Sequence, residues 1–169
     1  MLRYPRVMKD CRLQLARIDA ANELAQMSRE LIETGLAHAW TAVRIARHIE
    51  HPQSIVLTAR IEHGCAGFAV MQFAEDSAHL NLLAVRPEFR RRGIARQLLS
   101  WLHETAVTAG TFVIALELRA TSAAAHAFYS ALGYRETGRA AAYYQGVEDA
   151  IRMTRDLRVN DGVLRAPNG

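Results

Sequence analysis

Apolar and polar positions recur along the chain in two periods, which predict a succession of strands and helices. Alternation with period two, or a short apolar run, predicts strands at residues 12–18, 54–61, 65–73, 78–85, 111–119, 134–138 and 149–154. Helical spacing between capping and breaking residues predicts helices at residues 19–33, 42–48, 93–108 and 122–132. No repeat, low-complexity stretch or linker divides this succession.

Two of these segments carry the clearest packing information. The helix at residues 93–108 places Ile94, Leu98, Leu102 and Ala106 on one stripe, which predicts a single buried face. The strand at residues 111–119 is apolar on both faces, which is typical of a strand in the interior of a sheet. The sequence therefore predicts a core built around these two segments.

Length and composition indicate one domain over residues 1–169, with a core at 12–156 and a loose tail at 158–169. No apolar run approaches the roughly 20 residues of a membrane span, and the first residues contain no apolar signal segment. Cys11 and Cys65 lack the spacing of a metal or redox motif. We therefore expect a cytoplasmic protein that makes no membrane contact.

The formal charge of +4 comes almost entirely from arginine, because Lys9 is the only lysine. Guanidinium groups bind phosphates in bidentate fashion, so the composition suits a phosphate-bearing ligand. The arginines are scattered, and aromatic residues do not alternate with them in a stacking pattern. The sequence therefore does not predict a nucleic-acid-binding protein, although arginine-driven binding stays the least favoured alternative.

An arginine–glycine loop lies between the strand at 78–85 and the long helix that follows. It contains Arg90, Arg91, Arg92, Gly93, Ile94 and Ala95. A glycine at a helix start lets the backbone approach a ligand, and the unpaired N–H groups and dipole of the first turn favour anions. The loop lacks the glycines of a dinucleotide fingerprint and the Gly-Lys-Ser/Thr ending of a P-loop. It predicts a pyrophosphate-binding site, the alternative being an ordinary helix start with solvated arginines.

Glu117 interrupts the apolar strand at residues 111–119. Burial of a carboxylate raises its pKa and makes it a candidate general base. The alternative is a residue at the exit of the strand, solvated or paired with Arg119. The residues alone do not separate these two interpretations.

Ser122 and Tyr129 lie seven residues apart on a predicted helix, which places them on one face about 10 Å apart. They are candidates for binding two parts of an extended ligand, although the spacing of Tyr129 beside Phe128 is more typical of core packing. His48 and His51 are the closest pair of histidines, and no metal-ligating pattern surrounds them. We therefore expect no metal site.

The arginine–glycine loop, Glu117 and Tyr129 together resemble the GNAT superfamily of acyl-CoA-dependent N-acyltransferases, over roughly residues 13–154. Within it, three segments resemble the ribosomal-protein-alanine N-acetyltransferases: Leu-Glu-Leu-Arg-Ala-Thr-Ser at 116–122, Phe-Tyr at 128–129 with Leu-Gly-Tyr at 132–134, and Tyr-Tyr at 143–144 followed by Glu-Asp-Ala at 148–150. Trp40, before the second helix, fits the same pattern. Ser122 stands where the subfamily usually has Asn, and alanines occupy 140–142 where it tends to carry polar or basic residues.

The resemblance implies an α/β fold with a mostly antiparallel, mixed sheet flanked by helices and splayed into a V, with acetyl-CoA between the diverging strands. It implies Glu117 as base and Tyr129 as proton donor, with no metal. It assigns cofactor contacts to Leu83, Ala84, Val85, Arg90, Arg91, Arg92, Gly93, Ile94, Ala95, Arg96, Ser122 and Tyr129. It assigns substrate contacts to Trp40, Tyr143 and Tyr144.

The activity expected from the resemblance is transfer of an acetyl group to a primary amine by direct attack, with a protein N-terminal α-amino group as the first candidate acceptor. A small-molecule amine is the alternative acceptor. A CoA-binding regulatory module without turnover is the alternative of another class. The sequence specifies no oligomeric state.

Overall fold

The computed structural model describes residues 10–159 of the chain. Seven strands form one sheet: β1 (Arg12–Leu15), β2 (Ser54–Ile61), β3 (Gly64–Phe73), β4 (Ser77–Val85), β5 (Val113–Arg119), β6 (Arg135–Tyr144) and β7 (Glu148–Asp156). The helices are α1 (Ala21–Leu31), α2 (Ala42–Glu50), α3 (Ile94–Thr108) and α4 (Ala123–Ala131). Short 3-10 turns at Ile18–Ala20 and Pro87–Phe89 precede α1 and the arginine–glycine loop.

The strand order is β1-β2-β3-β4-β5-β7-β6, and every pairing is antiparallel except that of β4 with β5. This parallel pairing lasts for only three residue pairs, Ser77 with Val113 to His79 with Ala115. Beyond them β4 pairs only with β3, while β5 pairs with β7. The predicted mixed sheet with a V-shaped opening is confirmed, and β5 is an interior strand as its two-sided apolar pattern predicts.

Helices cover both faces of the sheet. On one face α3 packs its predicted stripe, Ile94, Leu98, Leu102 and Ala106, into a core in which each of these residues is at most 2% exposed. On the other face α1 and α2 pack against a second core that includes Phe68. The strands are thereby held rigidly on either side of the point where β4 and β5 separate.

Local chemistry sets most element boundaries. The Thr41 hydroxyl accepts a hydrogen bond from the Arg44 amide and begins α2, as predicted. Ser122 occupies the N-cap position of α4 without a side-chain capping bond. The first strand ends at Leu15, earlier than predicted, because the chain turns into the 3-10 helix that leads into α1.

The last hairpin is the largest difference from the predicted elements. The strand predicted at 134–138 instead runs to Tyr144, through the alanines at 140–142. The register between β6 and β7 shifts after Ala140, and the Ala142 amide bonds the Asp149 carboxylate at 2.7 Å. Alanine favours helices intrinsically, so only the pairing with β7 specifies this strand. Of the tail predicted at 158–169, residues 160–169 lie outside the described residues.

No helix within residues 10–159 is long and apolar enough to cross a lipid bilayer.

Candidate active site

The separation of β4 and β5 opens a cavity of about 500 Å³. Its walls come from both strands, from α4, from the α1–α2 connection and from the β6–β7 hairpin. The site residues predicted from the sequence that line it are Trp40, Leu83, Glu117, Ser122, Tyr129, Tyr143 and Tyr144. Residues distant in sequence, with acidic, hydroxyl and aromatic side chains, are thus brought to one opening.

The β4 side of the opening presents backbone groups. The Arg86 amide bonds the Ala66 carbonyl on β3 at 2.8 Å. Because amides alternate along a strand, the backbone groups of Ala84 point toward β3, and those of Leu83 and Val85 point away from it, toward the opening. The resemblance assigns cofactor contacts to Leu83, Ala84 and Val85. The backbone groups of Leu83 and Val85 point toward the opening, where the cofactor would lie, whereas those of Ala84 point toward β3.

The arginine–glycine loop lies at the end of β4, beyond the residues that line the cavity. Gly93 is the N-cap of α3 with φ +80°, in the left-handed region that favours glycine. Its carbonyl accepts the Gln97 amide at 3.0 Å, so the amides of Ile94, Ala95 and Arg96 have no carbonyl partner within the helix. The loop thus offers the predicted set of amides at a helix start.

Arginine side chains surround this helix start. Arg90 donates from Nε to the Val85 carbonyl at 3.1 Å, which ties the loop to the end of β4. The Arg92 guanidinium lies 5.7 Å from the centre of the Phe89 ring. Arg91 has φ +61°, a conformation that L residues seldom adopt. The loop is therefore held in a defined shape, and its arginine side chains remain exposed.

Glu117 lies on the β5 side with its side chain 11% exposed. Its carboxylate bonds His79 Nε2 through one oxygen and accepts from Arg152 Nε at 3.1 Å through the other. The bond from His79 is the main cause that lowers the pKa of Glu117, and it outweighs burial, which acts to raise it. The expected rise of this pKa is thus wrong, because the hydrogen bond from His79 and the Arg152 guanidinium favour the charged form of the carboxylate.

Arg119 is not the partner of Glu117. Its guanidinium instead bonds the Glu148 carboxylate at 2.6 Å and the Thr34 carbonyl at 2.7 Å. Arg119 therefore joins β5 and β7 to the chain after α1. The Glu117–Arg119 pair considered as an alternative from the sequence does not form.

His79 and Asn81 are the site residues that the sequence prediction missed. His79 bonds Glu117 through Nε2 and the Asn81 amide oxygen through Nδ1, and both side chains line the cavity. A signal was present, since these two polar residues alternate with the buried residues Ala78, Leu80 and Leu82. Their period-two spacing places them on the less buried side of β4.

Tyr129 belongs both to the core and to the cavity wall. Its ring is 9% exposed and packs edge-on against Phe128 and Tyr134, with centroid distances of 5.1 and 5.4 Å. Burial is the main cause that raises its pKa above the ordinary tyrosine value, so the hydroxyl keeps its proton at neutral pH. The two interpretations of this residue, core packing and ligand contact, are thus compatible in the structure.

Aromatic side chains form the wall opposite β4 and β5. The Trp40 backbone is fixed by Glu33, whose buried carboxylate accepts the Ala39 amide at 2.6 Å and the Trp40 amide at 3.1 Å. The Arg44 guanidinium stacks 3.8 Å from the Trp40 ring centre. The Tyr143 and Tyr144 rings meet edge-on at 5.1 Å on the β6–β7 hairpin.

A two-point clamp holds the two halves of this aromatic wall together. The Gln145 side chain accepts the Ala37 amide at 2.7 Å and donates to the Ala37 carbonyl at 2.6 Å. Gln145 adopts φ +54° in doing so. The β6–β7 hairpin is thereby fixed to the α1–α2 connection across the opening, and the cavity has a roof as well as walls.

Within residues 10–159, no group of three or more His, Cys, Asp or Glu side chains is arranged to hold a metal ion. In the cavity, Glu117 lies within ion-pair distance of His79 and of Arg152.

Comparison with known proteins finds several relatives that are similar to this chain in sequence. The [ribosomal protein bS18]-alanine N-acetyltransferase of Salmonella typhimurium is 45% identical over 91 residues, which are 52% of this chain and 62% of that enzyme. The chain therefore aligns with less than two thirds of the length of this relative.

Two solved structures share the architecture. The ribosomal-protein-S18-alanine N-acetyltransferase from Escherichia coli has a TM-score of 0.76 and 26% identity, covering 92% of this chain and 99% of that one. The PaiA N-acetyltransferase from Thermoplasma acidophilum, solved in complex with coenzyme A, shares the fold with a TM-score of 0.73 and 16% identity over 86% of this chain and 98% of that one. The model of the GNAT acetyltransferase domain matches residues 52–136, about half of the chain, and the chain therefore belongs to the GNAT acetyltransferase family.

Proposed function

We propose that this protein is an acetyl-CoA-dependent N-acetyltransferase whose acceptor is a protein N-terminal α-amino group. The observation that carries the proposal is the convergence of Glu117, Tyr129 and the outward amides of β4 on one cavity. The relatives named as ribosomal-protein-alanine N-acetyltransferases support the acceptor class. A cytoplasmic location fits this activity and the free thiols of Cys11 and Cys65.

The residues present fit the donor. A pyrophosphate needs several N–H donors without competing partners, and Ile94, Ala95 and Arg96 provide them at the start of α3. The positive φ of Gly93 turns the chain so that these amides lead the helix. Arginines beside them add charge, as a phosphate-bearing ligand requires. Toward the loop, the cavity lining on β4 reaches Leu83, two residues before the strand ends.

Three groups of this chain serve the reaction. Acetyl-CoA, when bound, supplies a thioester whose carbonyl carbon an amine can attack. The Leu83 or Val85 amide holds the carbonyl oxygen as negative charge develops there. Glu117 draws the proton from the amine, and the Tyr129 hydroxyl donates to the departing sulfur. No covalent bond to the protein is needed.

The acceptor side favours a chain end. An N-terminal amine has a pKa of about 8, against about 10.4 for lysine, so far more of it is neutral at pH 7. This suits a site whose carboxylate is held charged and therefore takes up a proton weakly. We expect the wall that contains Trp40, Tyr143 and Gln145 to admit an extended chain end and to exclude a folded surface.

Peptides test this acceptor. We expect acetylation at the α-amino group of peptides that begin with a small residue such as Ala or Ser and that also contain an internal lysine. Mass spectrometry of the products locates the added group, and the same peptides with a blocked α-amino group serve as controls. Label only on lysine, or turnover only with small amines, would contradict the N-terminal acceptor. Tight binding of acetyl-CoA with no acetylated acceptor would instead indicate a regulatory module.

The donor site has its own test. Gly93→Val places a β-branched side chain at the start of α3, and we expect acetyl-CoA affinity to fall at least tenfold, or about 1.4 kcal/mol, by calorimetry. Part of any change in the affinity of Gly93→Val comes from backbone strain, because the left-handed conformation costs an L residue about 1–2 kcal/mol. Gly110→Val is the matched control, because Gly110 has φ +79° at the other end of α3 and open space around its Cβ. Equal acetyl-CoA affinity in the two variants would show that the pyrophosphate does not bind at this loop.

A further inference from the structure

Glu117 by itself is poorly matched to an acceptor amine. Its pKa is held below the ordinary carboxyl value, chiefly by the bond from His79. An N-terminal ammonium has a pKa of about 8, against about 4.3 for an unperturbed Glu, so the proton would stay on nitrogen by more than about 10³ to 1. Efficient acid–base catalysis needs a closer match than this. A second group must therefore stabilise the transferred proton.

His79 has the contacts of such a group. Its two ring nitrogens face oxygen atoms that can only accept, Nε2 facing the Glu117 carboxylate and Nδ1 facing the Asn81 amide oxygen. A ring held between two acceptors is stabilised as the imidazolium, with a proton on each nitrogen. In the neutral tautomer that carries its proton on Nδ1, the ring donates to the Asn81 amide oxygen, and the lone pair of Nε2 lies beside Glu117.

We propose, on the basis of the function proposed above, that the proton of the acceptor amine comes to rest on His79 Nε2, and that Glu117 conveys it there. In this step one N–H bond of the ammonium breaks as a Glu117 oxygen accepts the proton, and an Nε2–H bond forms as Glu117 passes a proton on. The amine becomes neutral, the imidazole becomes imidazolium, and Glu117 ends as it began. The His79 side chain, 39% exposed, then returns the proton to water.

The surroundings of His79 agree with this role. The hydrogen bond to Glu117 is the main cause that raises its pKa above the ordinary histidine value, toward that of an N-terminal amine. Burial and, to a smaller extent, Arg152 on β7 act in the opposite direction and limit the rise of this pKa. The other ionisable groups among the described residues that line the cavity are Glu33, Arg44, Arg119, Tyr129, Tyr143 and Tyr144.

NMR titration of the free protein tests the charge state without any turnover. We expect the His79 ring to titrate above pH 6.5 in the wild-type protein, and its pKa to fall in Glu117→Gln. Asn81→Asp, which places a carboxylate at Nδ1, should raise it further. His63→Gln is the control, because His63 lies on the β2–β3 turn with its side chain 86% exposed. A His79 ring that titrates at or below pH 6.5 would overturn the proposal.

Kinetics test the proton transfer. His79→Gln keeps a donor for Glu117 but cannot hold the proton, so kcat should fall by about 10²-fold with unchanged acetyl-CoA affinity. In the pH profile of kcat, the fall on the acid side should occur at higher pH in Asn81→Asp. The shift should equal the change in the pKa of His79 that NMR measures for this variant. The amine's own ionisation is the same in every variant and cancels in this comparison. Unchanged kcat in folded His79→Gln overturns the His79 role alone, whereas wild-type protein that acetylates no amine overturns the proposed function.

Discussion

Glu117→Gln is expected to lower kcat by roughly 10²–10⁴-fold while acetyl-CoA binds as it does to the wild-type protein. The amide has the size of the carboxylate but cannot accept the proton of an ammonium. The change also removes the anion that favours protonation of His79. The loss should therefore exceed that of His79→Gln, in which the carboxylate remains. Steady-state kinetics with an Ala-initiated peptide and calorimetry with acetyl-CoA measure the two quantities separately.

The protein should fold normally with this change. His79 and Arg152, the partners of Glu117, are 39% and 49% exposed at their side chains, so water can solvate both when the carboxylate is gone. Glu104→Gln, an exposed position on α3, controls for the loss of a carboxylate elsewhere. A Glu117→Gln enzyme with the wild-type rate at every pH would show that the carboxylate serves only the packing of the cavity wall.

Stability measurements on the same variant have a defined pH dependence. The folded pKa of Glu117 is lowered, so the stability this group adds is present above the ordinary carboxyl value and lost as the pH falls through the folded pKa. The folded pKa of His79 is raised, so its contribution is present below pH 6.5 and lost as the pH rises through the folded pKa. The wild-type protein should therefore exceed Glu117→Gln in stability most between these limits, from about pH 4.5 to 6.5.

The sequence predicted the elements whose ends carry local signals. Thr41 and Gly110 mark helix ends by capping and by positive φ, and the stripe from Ile94 to Ala106 marks a buried helix face. Such signals act within a few residues, so a single chain contains them. The last hairpin has no comparable signal, because the alanines at 140–142 lie in a strand set by long-range contacts: Ala140 pairs with Ala150 on β7, and the Ala142 amide bonds the Asp149 carboxylate.

The difference between local signals and long-range contacts also explains which site residues the sequence predicts and which it misses. Glu117 was predicted because one carboxylate in an apolar strand is conspicuous by itself. Its partners His79 and Arg152 lie 38 and 35 residues away in the chain, and the bond from Gln145 to Ala37 spans 108 residues. Those contacts depend on how β4, β5 and β7 are ordered in the sheet. The direction of the Glu117 pKa shift was therefore inaccessible from burial alone, since burial and pairing act in opposite directions.

Tyr129→Phe is expected to lower kcat by about 10²-fold in a protein that folds as the wild type does. The ring of Tyr129 packs against Phe128 and Tyr134, and phenylalanine preserves both contacts. Only the hydroxyl is lost, and with it the proton that is donated to the departing sulfur. Because burial raises the pKa of Tyr129, this hydroxyl is protonated over the whole pH range of the assay, and the loss should not depend on pH.

Tyr134→Phe is the matched control for this prediction. Tyr134 is also a buried tyrosine, 2% exposed, but its hydroxyl bonds His103 Nε2 at 2.8 Å, on the side of the sheet covered by α3. Removing that hydroxyl leaves Nε2 of His103 without its partner, while Nδ1 still faces Arg155 at 3.3 Å. The variant should therefore lose about 1–3 kcal/mol of unfolding free energy and keep its kcat. We therefore expect Tyr129→Phe to lose kcat and keep its stability, and Tyr134→Phe to lose stability and keep its kcat. Full activity in folded Tyr129→Phe would assign Tyr129 to the core alone, and the departing sulfur would then take its proton from water.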